Sequence, residues 1–384
     1  MHEYRIAVIG GDGIGPEVIS EGIRVIDEVT HLLGSFSVEW THLPWGCDYY
    51  LETGKMMPDN GLEVLRNFDA IYFGAVGAPT VPDNVSVWEL ILPIRHRFEQ
   101  YVNYRPAKRL RGVPIPLRTN EDIDFVVVRE NTEGEYANVG GLLHQSHPGE
   151  LAIQTSVFTR SGVERVTRYA LDLARSRRGH LTVATKSNAM NYSMPFWDRV
   201  VRDVAGEYPD VEVDLYHVDA LTTYLVNRPH TLDVVLASNL FGDILTDLSA
   251  VLVGGLGIAP SANINPQRKY PSMFEPVHGS APDIAGKGIA NPIAAIWSGA
   301  LMLEFLGEQE AADCIMAAVE QTLERGEAST PDFGGKSSTK DVGDAVHKYI
   351  KLSESYRISV YNSGPHLAGR ETGNGKQRTS NIPE

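Results

Sequence analysis

Two aspartates four residues apart, Asp243 and Asp247 in FGDILTDL, carry the most specific chemical spacing in the chain. On a helix that spacing puts both carboxylates on one face. Two like charges held there repel unless a cation lies between them, and hard oxygen donors with open positions suit Mg2+ or Mn2+. The structural alternative is that Asp243 caps its helix while Asp247 faces water. Three arginines, Arg95 in ILPIRHRF, Arg105 in VNYRPA and Arg129 in VVVREN, are of the type that grips carboxylates. A guanidinium fork meets a carboxylate through two parallel hydrogen bonds, although each arginine taken singly also reads as a solvated surface residue. Gly10-Gly11-Asp12-Gly13-Ile14-Gly15-Pro16 links an apolar run to a stretch of helical spacing. A dinucleotide fingerprint reads G-x-G-x-x-G and rests pyrophosphate on the helix N-terminus. Here the spacing is G-x-G-x-G followed by proline, and no acid ends the next strand at Phe36–His42. A tight structural turn near a cofactor is the better reading.

The elements that must position these residues alternate in type. Tyr4–Gly10 reads as a buried strand and Pro16 to about Leu33 as a helix, with Val18, Ile19, Val25, Ile26 and Val29 on its apolar face. Phe36, Val38 and Trp40 alternate as a strand should. Ala70–Gly74, Phe125–Val128, Leu181–Ala184, Val211–Tyr216 and Val234–Ala237 are further short strands. Helical patterns cover Val163–Arg175, Pro195–Ala205 and Phe241–Val251. This rhythm implies an α/β protein with mainly parallel sheet. Glu133–Phe158 breaks it with glycines and two stretches of strand character. It reads as a protruding arm used in dimerisation, or else as a surface loop. From about Ser353 the chain is rich in Ser, Asn, Gly and Lys, and 353–384 reads as a disordered tail.

At 384 residues the chain is long enough for two domains. Its net charge of −15 disfavours a nucleic-acid partner, and an anionic substrate then needs a local basic pocket. Two cysteines, Cys47 and Cys314, fit a reducing cytoplasm better than a secreted disulfide framework. MHEYRIAVIGGDG runs straight into a strand without a signal-peptide pattern. No stretch reaches the about 20 apolar residues of a membrane span. A cytoplasmic location with no membrane partner is expected.

Longer motifs identify a family. GDGIGPEV at 11–18, SNLFGDILTDL at 238–248 and FEPVHGSAPDIAGKGIANP at 274–292 resemble signatures of the isocitrate/isopropylmalate dehydrogenase family, and the similarity runs from about residue 4 to 350. The resemblance implies that family's two-domain α/β fold, distinct from the Rossmann fold. Residues 1–103 with 257–352 would form the cofactor side, and 104–256 the substrate, metal and dimerisation domain with its arm at 133–158. It implies that Arg95, Arg105 and Arg129 hold substrate carboxylates. Asp243 and Asp247, with Asp219 of YHVDAL from the neighbouring subunit, would hold Mg2+ or Mn2+. Lys186 in ATKSNAM, also from the second subunit, would pair with Tyr136 in RENTEGEY, so a homodimer would share its active sites. Lys186 would take the hydroxyl proton, hydride would pass from C2 to the nicotinamide, and Tyr136 would protonate the enolate carbon left as CO2 departs. A monovalent cation such as K+ is a further expected cofactor.

In the same resemblance Asp283, followed by Ile284, stands where NADP-linked relatives carry a basic residue. An acid there accepts hydrogen bonds from both ribose hydroxyls and repels a 2′-phosphate, so NAD is expected. His278 and Asn291 match adenine-contacting positions, Glu275 and Asn188 match positions near the nicotinamide ribose, and Gly279, Ser280 and Ala281 complete the cofactor loop. His278 alone also reads as a loop histidine bonded to backbone. Trp88, with Ile91 and Leu92 beyond it, lies in the segment that reads the substrate's C3 substituent, where isopropylmalate enzymes place a glutamate and two leucines. A bulky indole shrinks that pocket unless it faces the core. With KMMPD at 55–59, DAIYFGAVG at 69–77, EQYVNYRP at 99–106 and VVVRENTEGEY at 126–136, the chain looks most like the branch acting on tartrate or D-malate. The implied reaction is NAD- and metal-dependent oxidation, with β-decarboxylation, of a small (R)-2-hydroxy diacid; (R)-malate would give pyruvate. A 3-isopropylmalate dehydrogenase is the alternative. A non-catalytic regulatory subunit of an isocitrate-type enzyme is a remote one, because Tyr136, Lys186, Asp219, Asp243 and Asp247 are all present.

Overall fold

The computed structural model describes residues 2–362, with side-chain surroundings through residue 352. Its strands are β1 (His2–Gly11), β2 (Phe36–His42), β3 (Ala70–Ala75), β4 (Val102–Lys108), β5 (Asp124–Glu130), β6 (Gly134–Leu143), β7 (Leu151–Val157), β8 (His180–Thr185), β9 (Glu212–His217), β10 (Val234–Ala237), β11 (Pro260–Ile264) and β12 (Ser272–Pro276). Its helices are α1 (Gly15–Leu33), α2 (Cys47–Thr53), α3 (Gly61–Leu65), α4 (Asp83–Ser86), α5 (Leu92–Arg97), α6 (Arg160–Ser176), α7 (Ser193–Ala205), α8 (Val218–Asn227), α9 (Asn239–Val253), α10 (Ile293–Leu306), α11 (Gln309–Arg325) and α12 (Thr339–Asn362).

Ten strands form one sheet in the order β2-β1-β3-β12-β11-β4-β5-β10-β8-β9. Neighbours are parallel except at β12/β11, β11/β4 and β4/β5, which are antiparallel. The sheet therefore has two parallel wings joined by an antiparallel centre, an arrangement distinct from a Rossmann sheet. The expectation of mainly parallel sheet holds for the wings and missed the centre, where β4, β11 and β12 are short and rich in Asn, Ser and Pro. The sheet runs unbroken across the two expected units, with β4 straddling their boundary at 103/104.

Alternation along each strand feeds two faces. On β1, Ile6 and Val8 face the main core with α1 and α10, while Ala7 and Ile9 join Leu65, Leu90 and Ile94 on the other side. On β5, Val126 and Val128 pack with α6 and α7, and Phe125 and Val127 with α8 and α9. Each such fully buried Val, Ile or Phe contributes roughly 1.5–3 kcal/mol. Residues Ile293–Leu303 of α10 are buried all round, which explains why that helix shows no polar face. β6 and β7 stand apart as a two-stranded hairpin at the place read as an arm, and Val139, Leu142, Leu143, Leu151 and Ile153 are exposed on it. The tail expected from 353 begins within α12, whose backbone runs to Asn362; from 363 onward it lies outside the described residues.

Candidate active site

Helix α9 leaves the C-terminal end of β10 and carries Asn239, Asp243 and Asp247 at successive fourth positions, so all three share one face. Arg129, at the end of neighbouring β5, lies across that face. Its Nη1 donates to Asp243 Oδ1, and its Nε and Nη2 donate to Asn239 Oδ1 at 3.0 and 2.8 Å. Gly242 makes room for it, since a Cβ there would sit 2.5 Å from Arg129 Cγ. Arg105, from β4, donates to Thr246 Oγ1 at 2.6 Å and lies 3.8 Å from both Asp243 and Asp247. Tyr136, on the arm strand β6, donates its hydroxyl to Asp243 Oδ2 at 3.2 Å, with the Arg129 guanidinium 5.6 Å from its ring centre.

Burial pushes the Asp243 carboxyl up, but Arg129 and Arg105 with the Tyr136 hydroxyl outweigh it and hold the carboxyl below its usual range. Asp247, more exposed at 61% against 40% for Asp243, is pushed up by burial and by Asp243 against the pull of Arg105. Burial, then Asp243, raises the Tyr136 phenol and keeps its proton in place. Burial lowers Arg105 to about 9, helped by repulsion from Arg129 and Arg95. Burial likewise lowers Arg129, opposed by Asp243 and reinforced by Arg95. The three arginines are thus close enough to repel one another.

Lys186 follows β8 and Asp219 sits in the first turn of α8; they pair with each other at 2.7 Å. Among the described residues no hydrogen bond or ion pair joins either of them to Asp243, Asp247, Arg129 or Tyr136 of the same chain. The chain thus presents the two groups separately on its second wing.

Arg95, on α5, donates to Glu275 Oε1 of β12 at 2.8 Å. Asn263 of β11 donates to the same oxygen at 2.6 Å, and its Oδ1 accepts from Asn103 and Asn131 at 3.0 and 2.9 Å. Asn103 also donates to Ser261 Oγ, and Asn131 to the Gln100 carbonyl. This buried amide chain lies where β11 meets β4, at the centre of the sheet.

The loop after β12 carries His278 to Asp283. Ser280 accepts from the Ile14 amide at 2.9 Å, which ties this loop to the Gly-rich turn. Gly13, at φ +60, must lack a side chain there, because a Cβ would meet the Ser280 carbonyl at 2.0 Å. Asp12 in the same turn accepts from the Cys47 and Gly77 amides, so the turn is braced by neighbouring loops. His278 donates through Nδ1 to the Gly279 carbonyl (3.0 Å), and its buried Nε2 has no partner. Burial pushes the imidazole down. Asp283 is exposed, Ile284 is half-buried beside the core, Ala281 is in the left-handed region at φ +42, and Asn291 donates to Asp332. Asn188, in the turn after Lys186, is exposed on the other wing.

The residues Val87–Ile91 wind as a single π turn between α4 and α5. Such turns recur at functional sites because the extra residue re-aims a helix face. Leu92 is buried and Ile91 packs on the core, whereas Trp88 is half-buried and stays outside that packing.

The family model described as isocitrate/isopropylmalate dehydrogenase matches residues 5–346. The chain belongs to that family. It is 54% identical over 356 residues to a tartrate dehydrogenase/decarboxylase of Pseudomonas putida, covering 90% of this chain and 97% of the relative. It is 53% identical over 360 residues to D-malate dehydrogenase [decarboxylating] of Escherichia coli (strain K12), covering 91% and 99%. The isocitrate dehydrogenase structure from Methylococcus capsulatus superposes with a TM-score of 0.82 at 37% identity, covering 91% of this chain and 100% of that one. As a member of this dehydrogenase family the chain is an enzyme.

Motif reading in this family member passed over Asn239, Thr246, Gly242 and the amide chain. The first three lie inside FGDILTDL or beside it, and the spacing that found Asp243 and Asp247 also reaches back to Asn239. The amides carry no such signal, since Asn103, Asn131 and Asn263 are far apart in sequence and meet only when β4 and β11 pair. No helix among the described residues is long and apolar enough to cross a membrane, and Cys47 and Cys314 are not joined in a disulfide.

Proposed function

We propose that the enzyme oxidises and β-decarboxylates a small (R)-2-hydroxy diacid, D-malate or tartrate, using NAD and Mg2+ or Mn2+. The observation that carries this reading is the cluster of Arg95, Arg105 and Arg129 around the Asp243–Asp247 face. Arg105 and Arg129 are buried, half-buried Arg95 is paired with Glu275, the three guanidinium groups repel one another, and Nε of both Arg95 and Arg105 is buried without a partner. A small diacid is an occupant whose carboxylates those unused, closely spaced guanidinium donors can bind.

The donor sets fit the two expected cofactors. Asp243 and Asp247 offer hard oxygens on one helix face, which suits a divalent cation, with Asp219 of the partner subunit as a third ligand. The unpartnered His278 Nε2 and the exposed Asp283 carboxylate suit an adenine and a 2′-hydroxyl ribose. When bound, NAD accepts hydride at the nicotinamide, and the cation supplies positive charge where oxygen becomes negative. The protein's own groups do the rest. The arginines bind and orient the two carboxylates. Lys186 of the partner subunit takes the proton from the C2 hydroxyl. Tyr136, whose proton is held by burial and Asp243, delivers it to C3 once CO2 has left. Trp88, free of the core, closes the space a larger C3 substituent would need.

Two features support a homodimer: among the described residues the Lys186–Asp219 pair makes no hydrogen bond or ion pair with the Asp243 group of its own chain, and the arm hairpin and α9 expose Leu142, Leu143, Ile153, Ile244 and Val251. A lone two-stranded hairpin is marginal, so the arm needs a covering surface. Tyr136→Phe and Lys186→Ala test both claims. In stopped flow with NAD, Mn2+ and (R)-malate, Lys186→Ala should give no first-turnover NADH burst. Tyr136→Phe should keep oxidation better than overall turnover, which falls by about 10²–10⁴-fold, the usual range for general acid catalysis. Co-refolded mixtures of the two inactive chains should regain activity, because each mixed dimer holds one intact site. A full burst from Lys186→Ala sinks the base assignment, and no regain in mixtures sinks the shared site.

A further inference from the structure

At the far end of the sheet from the cofactor loop, the N-terminal ends of β1, β3 and β12 border a cavity of about 520 Å³. Arg66, Arg268 and Lys269 line it together with Phe68, Tyr270 and Phe305. In a chain of net charge −15 this is a local excess of positive charge, and among the described residues none of the three cations has a carboxylate within ion-pair distance. Asp69 is the single acid on the lining, and its Oδ2 already accepts from the Arg5 amide. The cations lean on rings instead. Arg66 and Lys269 lie 5.2 and 5.1 Å from the Tyr270 ring centre, and Arg268 lies 4.5 Å from that of Phe305. The C-terminal carbonyls of α10 would ordinarily repel an anion here. Arg268 offsets them by donating to the Phe305 carbonyl, and the Tyr4 hydroxyl, shared between the Glu308 carboxylate at 2.9 Å and the Leu306 carbonyl at 3.2 Å, adds a weaker contact. Arg268 holds this position at a left-handed φ of +55°, a conformation that disfavours a residue with a Cβ.

We propose that this cavity binds the phosphate groups of a small phosphorylated ligand and transmits its occupancy to Arg95. Two guanidinium forks and an ammonium match phosphate oxygens, and the aromatic walls leave a seat for a flat ring. The route to the active site is short. Tyr270 stacks on buried Phe98, with centroids 5.8 Å apart and planes 19° from parallel. Phe98 immediately follows α5, which carries Arg95, and Tyr270 leads into β12, which carries Glu275, the partner of Arg95. A ligand that fixes Tyr270 therefore acts on both halves of the Arg95–Glu275 pair.

The test uses the full chain, with inorganic pyrophosphate as probe, titrated calorimetrically in metal-free buffer against wild type and Arg66→Gln/Lys269→Gln. Neither substituted residue belongs to the catalytic group, so turnover without pyrophosphate should be unchanged. Wild type should bind one pyrophosphate per chain, and the double variant should bind at least about tenfold more weakly, from the loss of two exposed charge contacts. Equal binding by the variant would place pyrophosphate on the catalytic arginines and overturn the site, as would no binding at millimolar concentration. In parallel, ADP binding that is tighter than that of pyrophosphate and is weakened in the double variant assigns the cavity to nucleotides, and a variant-sensitive affinity equal to that of pyrophosphate assigns it to free phosphates. At fixed free Mn2+, pyrophosphate should change the KM for (R)-malate by about fivefold or more in wild type only, within the usual span of coupling energies. An unchanged KM overturns the coupling. The coupling rests on Arg95 acting as a substrate arginine, whereas the binding half does not, so failure of one is distinguishable from failure of the other.

Discussion

Replacing Asn263 by leucine probes the amide chain at the centre of the sheet with little change of side-chain volume. The asparagine makes three good hydrogen bonds: it accepts from Asn103 and Asn131 and donates at 2.6 Å to the Glu275 carboxylate. Asn263 and Asn103 are fully buried and Asn131 nearly so. The two amide donors each keep one other partner, Ser261 and the Gln100 carbonyl, so their loss costs about 1 kcal/mol apiece, the net worth of a neutral bond. The bond to the carboxylate is worth about 1.5–3 kcal/mol. The sum is a destabilisation of roughly 3–5 kcal/mol. Urea unfolding with a common slope for both proteins measures it. Because Arg95 still donates to Glu275 in the variant, the folded protein should keep a raised but measurable KM for (R)-malate and a nearly normal kcat. A stability loss below about 1 kcal/mol would refute the reasoning, since water would then be replacing the amide at no cost. A collapse of kcat with KM unchanged would refute the link from Asn263 to Arg95.

Two further outcomes follow from the site. Asp283→Lys with Ile284→Tyr should weaken NAD use and improve NADP use in steady-state assays; an unchanged preference would show that Asp283 does not read the ribose. Fully buried Glu130, which accepts from the Thr132 amide and hydroxyl and the Glu133 amide, is pushed by burial up from 4.5 to about 7. A carboxyl raised on folding gives stability that is present below its unfolded value and lost as pH rises through its folded one. That gap is worth at most roughly 3 kcal/mol. Glu130→Gln stays neutral throughout, so the stability of wild type relative to the variant should fall by up to that amount between about pH 4.5 and 8. A pH-independent difference would show that Glu130 does not titrate in that window.

What could be read in the sequence follows from how local each signal is. The wing strands and α1, α6, α7 and α9 announce themselves through apolar periodicity, because each buries one continuous face; β10 at Val234–Ala237 appears with the bounds expected. Asp243 and Asp247 were legible for the same reason, since one helical repeat places both. β4, β11 and β12 were not. Their side chains include Asn103, Asn263, Ser261 and Ser272, which look like loop residues until strand pairing gives the Asn103 and Asn263 amide nitrogens their partners. The polar centre of the sheet is silent in any short window because its stability is a property of the pairing.

The same distinction separates two groups of residues in the proposed site. Asp243, Arg129 and Tyr136 meet within one chain, from α9, β5 and the root of the arm, and their hydrogen bonds explain why each type is needed there. Among the described residues, the Lys186 and Asp219 side chains hydrogen-bond only to each other. Their pairing at 2.7 Å satisfies both charges in the isolated chain, yet Lys186 retains donors and Asp219 is 68% exposed. A buried site would leave such a pair no freedom, whereas a pair presented at the edge of a wing can be offered to another surface. The exposed apolar residues of α9, Ile244 and Val251, alternate in position with the carboxylates on the same helix. The helix that would hold the cation thus also offers the surface a second subunit would cover, so in the proposed dimer assembly and completion of the site would be a single event.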